Sequence, residues 1–310
     1  MKKVDVIIPV YRPTKRLFLL LDRLKEQTVP PERIILVNTE QSYFEILISG
    51  MDFWQKYKNV TVRHISKKEF DHGGTRRQAV KESDAPYFVM MTDDAIPVNE
   101  YMLEQLVMPV WEGKAAMSYA RQLPGEDCGV IERYNRRFNY PQTSCIKTRA
   151  NLQEMGIKTF FASNVCAAYD RRIYDELGGF VKHTIFNEDM IFARRLIDAG
   201  YAIAYEASAQ VYHSHNYTGK QQFMRNFDLG VSHAQYRDVF EGVGTESEGI
   251  KLVKKNCGYL ISVGKPWLIV KLIWQSGCRY IGYFLGKRYE KLPVGFVKRC
   301  SMNREYWNPK

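Results

Sequence analysis

The chain has 310 residues, 45% of them hydrophobic and 25% charged, which is enough apolar sequence for a folded core in one large or two smaller domains. Its net charge of +11 is uneven: residues 251–310 contain 13 Lys and Arg against 2 Asp and Glu, whereas residues 1–250 contain 32 of each. The C-terminal part therefore favours an anionic partner, a membrane or a nucleic acid. The six cysteines form no C-x-x-C pair, which argues against a zinc ribbon or a thioredoxin-type site.

No separate apolar segment or small-residue cleavage site follows Lys2-Lys3, so no signal peptide is predicted. The cysteines are then expected to be free, mostly buried thiols in a reducing cytoplasm.

Four strands are predicted in the first part of the chain, at residues 4–10, 33–38, 60–65 and 87–91, because each is a short β-branched or apolar run. Leucines at helical spacing after the first strand predict an amphipathic helix. These are Leu17, Leu20, Leu21 and Leu24. A second helical stretch is predicted to end near Asp84. Strands that alternate with helices imply parallel pairing and an α/β fold.

The second half of the chain is less regular. A helix is predicted from about Glu188 to Gly200, followed by two short strands at residues 202–205 and 210–213. From about residue 251 the sequence is helical, aromatic and basic. We therefore predict a catalytic domain at residues 1–249 and a helical C-terminal region at residues 250–310.

Polar or turn-rich segments follow each of the four predicted strands. In parallel sheets, ligands bind beyond the carboxyl ends of the strands, so these segments are candidates to line one pocket. They are Pro9-Val10-Tyr11, Asn38-Thr39-Glu40, the segment from Asp71 to Arg76, and Thr92-Asp93-Asp94.

Two of these patterns fit a divalent cation. The adjacent carboxylates Asp93 and Asp94 suit a Mg²⁺ or Mn²⁺ ion that holds a diphosphate, although an aspartate there also suits a turn or helix cap. His213 and His215 follow the last predicted strand at a spacing that places them on one face, and imidazole also binds Mn²⁺. A solvated histidine pair is the alternative.

Two other patterns fit catalysis and phosphate binding. Glu188-Asp189 opens a helix, where carboxylates suit the helix dipole and could also supply a general base. His72-Gly73-Gly74-Thr75-Arg76 combines glycines with an arginine, which suits phosphate, although a plain turn before a helix has the same composition.

In their order along the chain, these motifs resemble glycosyltransferase family 2, whose members have the GT-A fold, over about residues 4–240. Pro9-Val10-Tyr11 is similar to the family's nucleotide-binding strand end, and Asn38-Thr39-Glu40 to its acidic base-binding segment. Thr92-Asp93-Asp94 is similar to the D-x-D metal motif, and Glu188-Asp189 to the E-D motif of the catalytic base.

A narrower resemblance is to the bacterial rhamnosyltransferases of that family. It is carried by the segments 70–76, 120–124, 213–217 and 301–307. One departure is that Thr92 stands at the first position of the D-x-D triplet, so Asp94 is the better candidate ligand.

The resemblance implies a role for each matching residue. Asp189 is expected to be the catalytic base, and Asp94 and His213 to bind Mg²⁺ or Mn²⁺. The residues expected to bind the donor are Pro9, Tyr11, Asn38, Glu40, His72, Gly73, Arg76 and Asp93. Those expected near the acceptor are Ser163, Asn164 and Glu188.

The function implied is an inverting glycosyltransferase that transfers L-rhamnose from dTDP-L-rhamnose to a lipid-linked saccharide, for a cell-wall or surface polysaccharide. One alternative keeps the fold but uses a UDP-hexose donor. Another is a non-catalytic membrane- or nucleic-acid-binding protein. The neutral body and the lack of a helix-turn-helix, zinc-finger or RNP signature argue against nucleic acid.

The C-terminal region is expected to bind the inner face of the cell membrane, as a peripheral protein. Lys271, Gln275 and Arg279 recur at helical spacing and form one polar stripe, while the rest of that helix is largely apolar and rich in tryptophan and tyrosine. The alternative is that this apolar face is core. Lys265, Lys271 and Arg279 interrupt the apolar run, so no spanning helix is predicted.

Overall fold

The computed structural model describes residues 3–242 and 246–308, and the side chains of residues 246–248 are outside the description. The chain separates into two compact units. The first unit runs up to Leu123 and adds Pro141–His183 and Glu188–His213, and the second contains Pro124–Tyr140, Thr184–Asn187 and the chain from Ser214 onward. This partition differs from the predicted boundary near Gly249, because residues before 249 group with the C-terminal helices.

The first unit contains a nine-stranded sheet in the order β3-β2-β1-β4-β8-β6-β9-β5, with β7 beside β9. The strands are β1 (Val4–Tyr11), β2 (Ile34–Thr39), β3 (Val60–Ile65), β4 (Tyr87–Met91), β5 (Ile96–Pro97), β6 (Met117–Leu123), β7 (Cys145–Lys147), β8 (Cys166–Asp170) and β9 (Ile203–Tyr212).

The predicted α/β fold is confirmed, and β1 to β4 pair in parallel as expected. The sheet is mixed beyond β4, because β8 lies antiparallel to both β4 and β6. The prediction of two short strands near residues 202–213 is wrong. They form one strand, β9, in which half-buried Glu206 and exposed Ser208 interrupt the apolar pattern but not the strand.

The helices are, in chain order, α1 (Arg16–Lys25), α2 (Gln41–Ile48), α3 (Phe53–Lys56), α4 (His72–Val80), α5 (Met102–Trp111), α6 (Val130–Asn139), α7 (Leu152–Met155), α8 (Arg171–Glu176), α9 (Glu188–Asp198), α10 (Gly219–Gln235), α11 (Arg237–Phe240), α12 (Glu246–Ser262), α13 (Leu268–Gly286) and α14 (Val294–Cys300). The four leucines of α1 are buried, as predicted. Helix α4 ends at Val80 rather than near Asp84.

The main core of the first unit lies under β1, β2 and β4, where valine, isoleucine and leucine side chains pack on α1 and α5. All six cysteines are free thiols: Cys128, Cys166 and Cys300 are buried, and Cys145 is exposed.

In the second unit, α10 and α13 pack closely along their length. Thr218 caps α10 through a reciprocal pair of hydrogen bonds with Gln221. Gly282 and Gly286 of α13 face the backbone carbonyls of Phe223 and Phe227 so closely that a Cβ atom at either glycine would clash. Glycine at these positions therefore sets the separation of the two helices.

Helix α13 turns Gln275 and Arg279 of its polar stripe towards the interior of the second unit, to which the helix belongs. Gln275 is buried and Arg279 is partly buried, whereas Trp267 and Trp274 are 66% and 68% exposed. These two tryptophans of the apolar face are therefore not part of the core, which was the alternative to membrane binding. Among the described residues, every helix is too short or too polar to cross a membrane.

Candidate active site

Asp94 and His213 meet where β4 and β9 end. Asp94 follows β4 by three residues, and His213 directly follows β9. The Nε2 atom of His213 lies 3.4 Å from Oδ2 of Asp94, so the two side chains predicted to bind a cation are adjacent. The structure thus brings together residues that are far apart in the sequence.

Gln122, at the end of β6, orients the His213 ring. Its Oε1 lies 2.9 Å from Nδ1 of His213, and its Nε2 donates to Oγ of Ser163 at 3.0 Å. The amide oxygen faces Nδ1, which leaves Nε2 as the ring nitrogen on the Asp94 side. A carboxylate beside an oriented imidazole is a donor set that suits a divalent cation.

Asp93 precedes Asp94 in the chain, and the pKa of its carboxyl is shifted. Burial, and then the charge of Asp94, raise the pKa of its carboxyl to about 7. A cation near Asp94 would offset the repulsion between the two carboxylates.

Asp189 lies in the first turn of α9. Its Oδ2 accepts a hydrogen bond from the backbone N–H of Asn164 at 2.9 Å, and its Oδ1 accepts from the N–H of Met190 at 2.8 Å. Burial, and then the charge of Glu188, raise the pKa of Asp189 to about 7. A carboxylate held in this way is suited to accept a proton near neutral pH.

Glu188 faces protein groups instead of solvent. Its Oε1 lies 3.1 Å from Nε of Arg76 and accepts from Nδ2 of Asn164 at 3.0 Å. Asn164 in turn accepts from the buried Tyr169 hydroxyl at 2.6 Å. Asn164 therefore joins both members of the Glu188-Asp189 pair, through its side chain to Glu188 and through its backbone N–H to Asp189.

The His72–Arg76 segment forms the first turn of α4. Asp71 caps this helix by accepting from the N–H groups of Gly73 and Gly74 at 3.0 and 2.8 Å. A Cβ atom at Gly74 would lie 2.6 Å from the carbonyl oxygen of Lys182, so close packing accounts for the glycine at this position. These contacts show that the segment starts a helix, and Arg76 pairs with Glu188. The predicted donor contacts of His72, Gly73 and Arg76 remain predictions.

The ends of β1 and β2 carry the remaining predicted donor residues. The Tyr11 ring lies edge-on to Tyr43 at 6.0 Å, and the Arg12 guanidinium lies 5.2 Å from the Tyr11 ring. Arg12 and Glu40 both have positive φ angles, 51° and 67°, a strained conformation for non-glycine residues that clusters at functional sites.

The side chain of Asn38 is buried and faces the protein. Its Nδ2 donates to the carbonyl of Glu40 at 3.0 Å and lies 3.0 Å from Nδ1 of His64. Asn38 therefore shapes the turn after β2. Its predicted contact with the donor remains a prediction.

Several residues of the site escaped the sequence analysis. Gln122, Tyr169 and the Arg12–Tyr43 pair are polar or aromatic residues with no motif of their own. Gln122 lies inside the 120–124 segment, which was noted only for its resemblance to rhamnosyltransferases. Its role depends on β6 and β9 being neighbours, which no local pattern indicates.

Solved glycosyltransferase structures share this fold. A mannosyltransferase of Pyrobaculum calidifontis, solved with GDP-Man and Mn²⁺, superposes with a TM-score of 0.56 at 14% identity, over 98% of this chain and 84% of that one. S. aureus TarS 1-349, solved with UDP-GlcNAc, gives a TM-score of 0.52 at 14% identity, over 93% and 91%.

The sequence comparisons go further. The family model for glycosyl transferase family 2 matches residues 5–178. Two curated relatives are each 37% identical over 99% of this chain and 96% of their own length: the O-antigen chain rhamnosyltransferases RfbN of Salmonella typhimurium and WbaN of Salmonella anatum. The family match contains Asp94 and Asn164, and the relatives extend the similarity across Asp189 and His213. The chain belongs to glycosyltransferase family 2.

Proposed function

We propose that this glycosyltransferase transfers L-rhamnose from dTDP-L-rhamnose, with inversion, to a lipid-linked saccharide in surface polysaccharide synthesis. The similarity over nearly the whole chain to two enzymes named as O-antigen chain rhamnosyltransferases supports the choice of sugar. The observation that carries the reaction type is the Asp189 carboxylate, held by two backbone N–H groups beside Glu188.

In the proposed reaction, Asp189 accepts the proton of one acceptor hydroxyl. The oxygen then forms a bond to the anomeric carbon as the bond from that carbon to the diphosphate oxygen breaks. Single displacement inverts the anomeric centre, and the proton on Asp189 passes to solvent before the next turnover. A base with a pKa near the working pH suits this transfer, which contributes about 10²–10⁴ to the rate.

We propose that Asp94 and His213 hold the Mg²⁺ or Mn²⁺ ion. When bound, such an ion stabilises the negative charge of the departing diphosphate. Gln122 would keep the His213 ring in the orientation that ligation needs. Tyr11 and Glu40 remain proposed donor contacts, together with Pro9, Asn38, His72, Gly73, Arg76 and Asp93, and Ser163 and Asn164 with Glu188 remain the proposed acceptor side.

We also propose that the C-terminal region binds the inner face of the cell membrane. The exposed apolar face of α13 is wide, and basic side chains accompany it. The exposed members of the face include Trp267, Val270, Ile273, Trp274, Tyr280, Ile281 and Phe284. Aromatic side chains suit the lipid interface, and each nearby Lys or Arg adds about 1 kcal/mol at an anionic leaflet.

A donor panel tests the proposal. Purified full-length protein is supplied with Mg²⁺ or Mn²⁺, a lipid-linked acceptor and, separately, dTDP-L-rhamnose, UDP-glucose, UDP-galactose or GDP-mannose. We expect the highest kcat/KM with dTDP-L-rhamnose. A UDP-hexose that turns over better would show that the rhamnose assignment is wrong while membership of the family stands.

A further inference from the structure

A cavity of about 240 Å³ lies within the second unit. Its walls come from the start of α6, from the segment after Ser214, and from one face each of α10 and α13. The side chains that matter for its chemistry are Glu132, His215, Gln222, Lys271, Gln275 and Arg279. None of these residues has a part in the reaction proposed above.

Arg279 gives the cavity its charge. Its Nε atom donates to Oε1 of Gln222 at 3.0 Å, and no carboxylate of the described residues forms an ion pair with it. Burial lowers the pKa of this guanidinium, and the charge of Glu132 only partly offsets that effect. A partly buried guanidinium with donors to spare is suited to bind an anion, often through two hydrogen bonds.

The other charged residues of the cavity do not cancel this cation. Glu132 is already paired, since its Oε1 lies 2.7 Å from Nε of Arg136. Lys271 is exposed, one turn along the same helical face as the buried Gln275. The cavity therefore has an arginine inside and a lysine at its edge, a combination that favours a ligand with more than one negative charge.

Helix α13 also places this cavity beside the proposed lipid-facing surface. Residues 271, 275 and 279 form its inward stripe, and Trp267 and Trp274 lie on its outward surface. A ligand with phosphate in the cavity could thus keep a hydrocarbon chain in the membrane at the same helix.

We propose that this cavity binds the diphosphate that joins the acceptor saccharide to its lipid, with Arg279 as the anion-binding side chain. This inference rests on the proposed function, because it takes the acceptor to be lipid-linked. A diphosphate is also present in the nucleotide sugar, and phosphate is present in phospholipid headgroups, so the experiment must separate three sources.

The first experiment measures binding and needs no transfer. Inorganic pyrophosphate is titrated into the full-length protein by calorimetry in EDTA, so that no divalent ion is present at Asp94 and His213 to hold the pyrophosphate there. Arg279→Gln should weaken pyrophosphate binding about ten- to a hundredfold, as the loss of hydrogen bonds to a charged group predicts. Lys271→Gln should weaken it a few-fold, and the matched control Lys265→Gln, outside the cavity, should not change it. Equal affinities in all four proteins would overturn the proposal.

The second experiment measures acceptor preference. The same saccharide is offered on a short-chain lipid diphosphate and on a neutral alkyl chain. Wild type and Lys265→Gln should prefer the diphosphate acceptor, and in Arg279→Gln the ratio of the two kcat/KM values should fall towards one. An unchanged ratio, with both acceptors weakened alike, would indicate a saccharide or structural role and overturn the proposal.

The remaining outcomes identify the other sources. A rise only in the donor KM of Arg279→Gln would assign the cavity to the nucleotide, and weaker binding only to anionic vesicles would assign it to a phospholipid headgroup. Both contradict the proposal. If wild type transfers no sugar to either acceptor, the proposed function fails, and the pyrophosphate titration still decides whether the cavity binds diphosphate.

Discussion

The carboxylate of Asp189 accepts hydrogen bonds from two backbone N–H groups, one at each oxygen. Asp189→Asn has the same shape and keeps one accepting oxygen, but it loses the second hydrogen bond and removes the base. We expect kcat to fall about 10²–10⁴-fold while the donor dissociation constant stays within a few-fold of wild type. Steady-state kinetics together with donor titration would check this.

The matched control for that variant is Asp198→Asn, at the other end of the same helix. Asp198 forms an exposed i,i+4 pair with Arg194. Such pairs contribute little, so turnover should stay near the wild-type value. If Asp189→Asn behaved like Asp198→Asn, another residue would have to be the base.

The raised pKa of Asp189 predicts a pH dependence. The base form accumulates as pH rises through about 7, so kcat should rise over that range and then level. Glu188→Gln removes the neighbouring charge that raises this pKa, so the midpoint of the profile should move to lower pH. A midpoint that stays fixed in Glu188→Gln would argue against Asp189 as the titrating group.

The raised pKa of Asp189 also affects stability, but here the contribution falls as pH rises, whereas kcat should increase. The folded state holds a proton on Asp189 that the unfolded chain releases at lower pH, so this contribution to the free energy of unfolding is lost as pH rises from the ordinary Asp range to about 7. Asp189→Asn has no such titration. Its free energy of unfolding relative to wild type should therefore increase with pH, as denaturant titrations at several pH values would show.

Gln122 provides a test of the proposed cation site without touching a ligand. Gln122→Leu removes the acceptor that holds Nδ1 of His213. Loss of such an orienting partner typically weakens metal affinity or activity about 10–100-fold, so the Mn²⁺ concentration for half-maximal rate should rise by that factor. Gln210→Leu, on the neighbouring strand β9, is the control and should leave it unchanged. An equal metal requirement in both variants would contradict the role of Gln122.

At the residue scale, short motifs were enough to select residues that the fold brings together, and the roles assigned to those residues remain predictions. Asp94, His213 and Asp189 were all named from their motifs, and the structure brings the first two within 3.4 Å. The pairing of Arg76 with Glu188 could not be foreseen, because Arg76 is typical of a phosphate ligand by composition. Its partner Glu188 lies in α9, more than a hundred residues along the chain, so the pair exists only in the folded protein.

At the scale of single elements, α13 offers a test of membrane binding. Trp274→Glu removes an exposed apolar side chain and adds a negative charge without disturbing the buried stripe. Burying one large apolar side chain contributes about 1.5–3 kcal/mol, so the partition coefficient onto anionic vesicles should fall about ten- to a hundredfold. Trp54→Glu, at a 54% exposed tryptophan in α3, is the control and should bind as wild type does. Equal binding by both variants would exclude α13 from the contact.

The close packing of α10 and α13 predicts that two glycines of α13 differ in their tolerance of substitution by alanine. Gly282→Ala would push a methyl group into the Phe223 backbone, whereas Gly277→Ala meets open space. The first should lower the free energy of unfolding by about 1–3 kcal/mol, and the second should raise it slightly because alanine is the better helix former. Thermal and urea unfolding of both variants would test this, and equal effects would contradict the close packing.

Elements with strong periodicity were predictable and those defined by distant partners were not. The β-branched or apolar runs of β1 to β4 and the leucines of α1 were recognised because their burial is regular. Neither β6 nor β8 was predicted from the sequence. In β8, Cys166-Ala167-Ala168 consists of small residues with little strand propensity, and the antiparallel partners β4 and β6 stabilise it.

At the scale of the whole molecule, α10 and α13 belong to the same unit, so membrane binding should not be tested by truncation between them. A chain ending near Gly249 would remove α13 and uncover the face of α10 that packs on it. Such a truncation would test folding as much as binding. The intact chain is the better subject, and its binding to anionic vesicles should weaken with added salt because the positive charge lies in residues 251–310. If added salt left vesicle binding unchanged, the positive charge of residues 251–310 would not contribute to that binding.

The polar contacts of the first unit form one continuous path from the proposed cation site to the base. Asp94 adjoins His213, Gln122 joins His213 to Ser163, and the next residue, Asn164, donates to Asp189. Coupling between two binding equilibria is always reciprocal, and a cation at one end of this path would act on the carboxylate at the other. A bound cation should lower the pKa of Asp189, and protonation of Asp189 should weaken cation binding by the same factor. The enzyme would then ionise its base most readily when its cation is present, and acidification would release both functions together.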